Sequence, residues 1–203
     1  MSVQPCQPGF EHINRYFDRQ VGMNTAKILP GEFYISQQKE IITTVLGSCI
    51  SVCAYDLQQQ VGGMNHFLLP MSRSEKLDLG SEAFRYGDVA MEQMINALLK
   101  LGAERRRLQF KAFGGGQIIK TMTPIGESNI SFLKKFMALE GFKIEASDMG
   151  GPYPRKVRFD PLTGQVWVKR LAHLHNDTIS KREADYQKNL NEHDQSGEID
   201  LFE

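Results

Sequence analysis

Residues 41–70 read IITTVLGSCISVCAYDLQQQVGGMNHFLLP and contain the clearest structural pattern in the chain. A β-branched and aliphatic run over 41–46 ends at a Gly-Ser-Cys sequence, and a second run over 50–55 alternates polar and apolar residues. A third run over 61–69 is closed by a proline. Alternation with a period of two, bounded by Gly, Asp and Pro, is typical of β-strands joined by turns. The segment therefore predicts three consecutive strands.

Two amphipathic helices are predicted after these strands. Residues 83–101 and 128–140 both carry apolar side chains at helical spacing, and a glycine follows each of them. Further short strands are predicted within 27–36, 108–112, 142–146 and 157–168, the last of these as a hairpin. Alternating strands interspersed with helices favour an α+β fold, with a layered mixed or antiparallel β-sheet core flanked by helices, over a doubly wound parallel sheet.

The two ends of the chain differ in composition from the middle. Residues 1–26 are predicted to be an N-terminal extension, with a short amphipathic helix formed around Phe10, Ile13, Tyr16 and Phe17. Residues 27–172 are predicted to be a single domain. Residues 173–203 are polar and charged, which predicts a C-terminal tail that is a loosely held helix or disordered.

Composition excludes several classes of function. Lys plus Arg equals Asp plus Glu at 24 each, so no net charge directs the protein to nucleic acid or to an anionic membrane. No apolar run approaches the length of a membrane span, and the first 20 residues lack the pattern of a signal peptide. Three cysteines cannot all pair with one another, so a reduced, cytoplasmic setting is expected.

Cys49 and His66 are the candidate reactive pair. A free thiol with a pKa near 8.5 is only about 3% ionised at pH 7, and a neighbouring imidazole can hold it as thiolate. Gly47 and Ser48 let the chain turn sharply before Cys49, and backbone N–H groups at Ser48 and Cys49 would stabilise an oxyanion. A third group should orient His66. Sequence spacing leaves both Thr43 and Thr44 open for that role, since neighbours on a strand face opposite sides.

Other interpretations of the same residues stay open at this point. A buried cysteine is most often a small hydrophobe, and a single histidine on a strand is most often structural. Cys49, Cys53 and His66 form an incomplete zinc set, so a metal site is the weaker alternative. The glycine run 114–116 lacks the Lys-Ser/Thr of a phosphate loop, which favours a tight turn or a close backbone contact there.

Several blocks of the sequence, taken in order, resemble the CheD family of chemoreceptor glutamine deamidases. The resemblance covers roughly residues 30–171. A GSC turn followed by an H-F-x-L-P strand is its most specific part. The blocks are TTVLGSCISVCAYD (43–56), GGMNHFLLP (62–70), RYGDVAMEQMINALLKLGA (85–103), KAFGGG (111–116), IGESN (125–129) and DMGGPYPRKVRFDPLTGQVWVKR (148–170).

The resemblance implies a cysteine hydrolase with an α/β/β/α-type layered fold. Cys49 would be the nucleophile, His66 the base, and Thr43 rather than Thr44 the residue that orients His66. Such an enzyme deamidates glutamines of methyl-accepting chemotaxis receptors through a thioester and requires no metal or organic cofactor. Some relatives also bind the phosphatase CheC. A non-catalytic adaptor that binds receptors or such a phosphatase is the alternative function.

This sequence departs from the family pattern in three places. The departures are Gly116, Pro152 and Pro154. All three lie outside the implied Cys–His–Thr triad. They are expected to alter loop shape or the surface that meets a partner, so the implied CheC contact is the property that they affect most.

Overall fold

The computed structural model describes residues 5–70, 81–118, 125–171 and 177–193. Within those ranges the chain forms ten strands, three α-helices and one 3₁₀ turn. In chain order they are β1 (Asn14–Asp18), β2 (Met23–Lys27), β3 (Phe33–Ser36), β4 (Ile41–Leu46), β5 (Ile50–Asp56), β6 (Val61–Asn65), α1 (Glu82–Lys100), the 3₁₀ turn (Arg105–Arg107), β7 (Gln109–Gly114), α2 (Ile125–Leu139), β8 (Ile144–Met149), β9 (Arg155–Phe159), β10 (Val166–Arg170) and α3 (Asp177–His193).

The strands form two mixed sheets of five strands each. The first sheet has the order β1-β2-β4-β9-β10, and its β2–β4 pair is parallel. The second sheet has the order β3-β6-β5-β7-β8, and its β7–β8 pair is parallel. The other neighbours in both sheets are antiparallel. The predicted α+β class with a mixed-sheet core is confirmed.

The second sheet lies between the first sheet and two helices. Every residue of β5 is buried, because this central strand is covered on both faces. On one face the Tyr55 ring contacts Phe159 of the first sheet, with ring centroids 6.1 Å apart. On the other face α1 packs on β3 and β6, and α2 packs on β5. Each large apolar side chain buried in this way stabilises the fold by roughly 1.5–3 kcal/mol.

Helix α1 forms where the periodicity predicted it. The Ser81 side chain accepts a hydrogen bond from Phe84 N at 3.2 Å, which caps the first turn. Met91, Met94 and Leu98 lie on one face and are buried. The helix α2 and the β9–β10 hairpin are likewise found close to their predicted positions.

The N-terminal region departs from its prediction. The amphipathic helix predicted around residues 10–17 is wrong, because 14–18 form strand β1 and pair antiparallel with β2. Phe10 and Ile13 are buried, whereas Phe17 is 39% exposed, so their spacing reflected a loop and an edge strand rather than a helix face. Arg15 of β1 also forms an ion pair at 2.8 Å with the buried Glu40, which immediately precedes β4 of the same sheet. Residues of the predicted extension therefore contribute two strands to the first sheet.

The C-terminal region of the described chain is helical from residue 177 to 193. Residues 194–203 of the predicted tail lie outside the described residues. None of the helices in the described ranges has both the length and the apolar character that crossing a bilayer requires.

Candidate active site

The turn that carries Cys49 passes from one sheet to the other. Gly47 and Ser48 follow β4 of the first sheet, and Cys49 immediately precedes β5 of the second. The glycine run after β7 holds this turn by its backbone: Gly115 N donates to Cys49 O and Gly116 N donates to Gly47 O, both at 2.7 Å. The run is therefore a close backbone contact that fixes the position of Cys49.

Gly114 shows why this contact needs glycine. Its φ angle is +109°, a conformation that L side chains rarely adopt. A Cβ at this position would lie 2.1 Å from the Cys49 carbonyl oxygen. Any side chain there would push the Cys49 turn out of place.

His66 follows β6 and is held by its own backbone. Its N–H donates to Glu32 O at 2.9 Å, and its carbonyl accepts from Gly31 N at 2.7 Å. The next residue, Phe67, forms a bridge with Ile50, which adjoins Cys49. The structure thereby brings the two predicted reactive side chains together: Cys49 Sγ and a ring nitrogen of His66 lie within 4.8 Å of each other.

The threonine beside His66 is Thr44, not Thr43. Thr44 Oγ1 lies 2.8 Å from His66 Nδ1. Thr43 Oγ1 instead donates to Val157 O at 2.8 Å on the neighbouring strand β9. The prediction that Thr43 orients the imidazole is therefore wrong in this structure. The cause is the alternation of a strand, which turns adjacent side chains to opposite faces.

The hydrogen bonds of Thr44 define the tautomer of His66. The Thr44 hydroxyl has one proton, and it donates that proton to the carbonyl of Ile28 at 2.9 Å, because a carbonyl can only accept. Toward His66 the same oxygen must accept, so Nδ1 carries the ring proton. In the neutral ring Nε2 is then an unprotonated acceptor, and it is buried without a hydrogen-bond partner. This nitrogen is free to take a proton from a thiol.

A residue that the sequence did not predict completes the cluster. Glu183 of α3 places its carboxylate at the Cys49 turn, and a carboxylate oxygen lies within 4.8 Å of both Cys49 Sγ and a ring nitrogen of His66. Oε1 accepts from Gly47 N at 2.8 Å and from Cys49 N at 3.3 Å. Oε2 accepts from Ser48 N at 2.9 Å and from Ser48 Oγ at 2.6 Å. Three successive backbone N–H groups thus converge on one anion, as in an anion-binding nest.

The surroundings hold both reactive groups in their neutral forms. Burial, and then the charge of the Glu183 carboxylate, raise the pKa of the Cys49 thiol well above its ordinary value. Burial lowers the pKa of His66 to about 4; the Glu183 charge opposes this shift and the Arg182 charge adds to it. At neutral pH the pair is therefore a thiol beside an uncharged imidazole.

Asn129 of α2 also supports the turn. Its Nδ2 donates to Ser48 O at 2.9 Å, and its Oδ1 accepts from Leu69 N at 2.9 Å. The side chain is fully buried, so it joins the Cys49 turn to the segment after His66. A polar residue within an apolar helix face is the sequence signal that points to such a role.

The donor types at this site also suit a metal ion. Cys49, His66 and Glu183 are the kinds of side chain that bind zinc. Cys53, which completed the alternative zinc set at the sequence level, is not part of this cluster. The Glu183 oxygens already accept four hydrogen bonds from the turn. The arrangement therefore suits a turn that binds an anion better than a cluster that binds a metal ion.

Comparisons with known proteins agree on one family. Residues 68–170 match the family described as CheD chemotactic sensory transduction. Three relatives bear the name probable chemoreceptor glutamine deamidase CheD. They come from Hahella chejuensis (46% identical over 196 residues, 96% of this chain and 93% of the relative), Halorhodospira halophila (45% over 206 residues, 100% and 95%) and Hydrogenovibrio crunogenus (47% over 191 residues, 94% and 100%).

Proposed function

Because the chain belongs to the CheD family, we propose that it is a chemoreceptor glutamine deamidase, a hydrolase that converts receptor glutamine side chains to glutamate and releases ammonia. The observation that supports this most strongly is the placement of Cys49 Sγ near the His66 ring, at a turn whose three backbone N–H groups converge. A nucleophile, a base and an oxyanion site are the parts that acyl transfer needs.

The first step forms a thioester. His66 Nε2 takes the thiol proton, and the Cys49 sulfur attacks the side-chain carbonyl carbon of the receptor glutamine. The carbonyl oxygen becomes an oxyanion and accepts the N–H groups of Gly47, Ser48 and Cys49, in the position that the Glu183 carboxylate occupies in this structure. Collapse of this intermediate breaks the C–N bond. The nitrogen leaves as ammonia with the proton that His66 had taken.

The second step releases glutamate. Water attacks the thioester while His66 Nε2 accepts its proton, and the same N–H groups again hold the oxyanion. Collapse returns the proton to the sulfur and restores the thiol. Thr44 contributes by keeping the ring proton on Nδ1 throughout, so that Nε2 is available in both steps. The protein contributes the side chains of Cys49, His66 and Thr44 and the backbone N–H groups of the turn, and water completes the reaction.

Two further properties follow from the family resemblance. The enzyme acts in the cytoplasm, in keeping with its three free cysteines. Since some relatives bind a CheC-type phosphatase, we propose such a phosphatase as a partner, through a contact that the departures at Gly116, Pro152 and Pro154 would modify.

Receptor fragments provide the direct test. Wild-type protein is expected to release ammonia from a fragment that contains receptor glutamines and to produce the mass gain of amide-to-acid conversion. Cys49→Ala and His66→Gln should lose this turnover. Cys53→Ala, which removes a buried free thiol outside the cluster, should keep it. Unchanged turnover in Cys49→Ala would disprove the nucleophile, and receptor binding by wild type without any turnover would favour the adaptor.

A further inference from the structure

We propose that α3 is a tethered product mimic: Glu183 occupies the place of the glutamate side chain formed from a receptor glutamine, and α3 must leave the Cys49 turn before a receptor can enter. This proposal rests on the proposed deamidase function, and it concerns how the same site is regulated.

The group that occupies the Cys49 turn has the chemistry of the reaction product. A glutamate side chain is the product of glutamine deamidation, and Glu183 presents that same group to the nucleophile. Both of its oxygens are bound, one by Gly47 and Cys49 and the other by Ser48. A structural helix would require no such match to the reaction product.

The buried face of α3 is largely polar. Glu183, Tyr186 and Gln187 share one helix face at spacings of three and four residues. Glu183 and Gln187 are only 7% and 6% exposed, although both are polar. Stable helix packing comes from buried apolar surface, whereas buried polar groups recover little beyond their hydration. Gln187 Nε2 is buried without a hydrogen-bond partner, which makes the docked state less favourable still. The interface therefore suits a helix that docks and leaves.

Tyr186 extends the cover that α3 provides toward His66. Its hydroxyl lies 2.5 Å from the hydroxyl of Tyr86 on α1. It also lies over Gly31, where a Cβ would come within 2.2 Å of it. Gly31 donates to the His66 carbonyl, so α3 covers the approach to His66 as well as the turn of Cys49. With α3 in place, Cys49 is 0% exposed and His66 is 2% exposed, so a receptor side chain has no access to either.

Alkylation of Cys49 tests the docking without reference to deamidation. Glu183→Ala removes the carboxylate, and Asp185→Ala is the matched control, since Asp185 lies on the same helix, carries the same charge and is exposed. Iodoacetamide modification is followed residue by residue by mass spectrometry. Glu183→Ala should accelerate modification of Cys49 by roughly tenfold or more, because it removes the charge-assisted hydrogen bonds that hold the helix down and also the charge that raises the pKa of the thiol. Asp185→Ala should behave as wild type, and the core thiol of Cys53 should stay unreactive in all three proteins.

Two alkylation results would overturn the proposal. One is an unchanged rate at Cys49 in Glu183→Ala. The other is an equal acceleration at Cys53, which would mean that the fold has loosened as a whole. Receptor turnover separates this proposal from the proposed function: absence of deamidation in wild type and in all variants would refute the function. Ordinary deamidation by wild type, with no gain in kcat/KM for Glu183→Ala over Asp185→Ala, would refute the product mimic alone.

The variant Glu183→Gln gives an independent test, because it supplies an amide at the position of the product. The Cys49 sulfur should bond to the side-chain carbon of residue 183, the C–N bond should break, and ammonia should leave with the proton held by His66. Water then hydrolyses the thioester, which restores a carboxyl group and the free thiol. The purified variant should gain the mass of amide-to-acid conversion at position 183, and the double variant with Cys49→Ala should not. Failure of this conversion in a protein that deamidates receptors would show that residue 183 does not sit where a substrate sits.

Discussion

Replacing Thr44 with valine should slow receptor deamidation far more than the same replacement at Thr43. Valine keeps nearly the same shape and removes the hydroxyl. At Thr44 the hydroxyl accepts from His66 Nδ1 and donates to Ile28 O. At Thr43 it donates only to the Val157 carbonyl. The two variants therefore lose similar groups on adjacent residues of one strand, and only one of the two contacts the imidazole.

The expected size of the effect follows from the lost hydrogen bonds. A buried donor left without a partner costs about 1–3 kcal/mol, and His66 Nδ1–H is such a donor in Thr44→Val. If this cost falls on the reactive tautomer, each 1.36 kcal/mol is about a tenfold loss in rate, so kcat should fall roughly ten- to hundredfold. Thr43→Val should lower stability by about 1 kcal/mol and leave kcat within about twofold of wild type.

The assay is ammonia release from a receptor fragment, measured as kcat and kcat/KM across pH. Loss of the Nδ1 acceptor destabilises the imidazolium, so Thr44→Val should also move the acid limb of the profile to lower pH. Thr44→Ser restores the hydroxyl and should recover both rate and profile. A kcat that falls as far in Thr43→Val as in Thr44→Val, or that is unaffected in Thr44→Val, would refute the assignment.

Two further expectations concern the turn and the imidazole. Gly114→Ala should abolish turnover, because its Cβ would lie 2.1 Å from the Cys49 carbonyl oxygen. The control Gly141→Ala has a φ angle of +68° but meets no atom within 4 Å, so it should lower stability by only about 1–2 kcal/mol and keep turnover. Enzyme kinetics and urea unfolding distinguish the two variants. Because burial lowers the pKa of His66 to about 4, the unfolded state binds a proton first as pH falls. The contribution of His66 to stability should therefore be complete above about pH 6.5 and should decline by roughly 3 kcal/mol toward pH 4, and His66→Gln should flatten that part of the unfolding profile.

The parts of the fold that were predictable are those whose patterning is local. Strands β4 to β6 alternate with a period of two, and α1 has a long apolar stripe with a cap at one end and a glycine at the other. The sequence predicts a helix around β1 because the three-residue spacing of Phe10, Ile13 and Tyr16 imitates a helix face. Its conformation is set instead by pairing with β2, which in turn pairs in parallel with β4, so it depends on sheet contacts that the spacing of its own residues does not show.

The candidate active site could likewise be predicted only where its pattern is local. Cys49 immediately precedes β5 and His66 immediately follows β6, and these two successive strands pair antiparallel, so the proximity of the two residues follows from a short-range pattern. The identity of the threonine depends on which face of β4 turns toward His66, and the turn at Gly47 hides that register from sequence. No pattern in the sequence predicted the role of Glu183. This residue lies on a polar helix and contacts Cys49 from a position 134 residues further along the chain.

The charge of the occupant links the resting state to the reaction. A carboxylate in the N–H nest is compatible with a neutral Cys49 thiol, but a thiolate beside it would be repelled, which is why Glu183 raises the pKa of that thiol. A receptor glutamine is uncharged and imposes no such repulsion, so the same nest favours the reactive sulfur when substrate replaces α3. After turnover the new glutamate lies in the nest beside the restored neutral thiol, as Glu183 does, and its charge again raises the pKa of that thiol. Product and α3 therefore compete for the same backbone N–H groups, and both are compatible with the neutral form of the nucleophile.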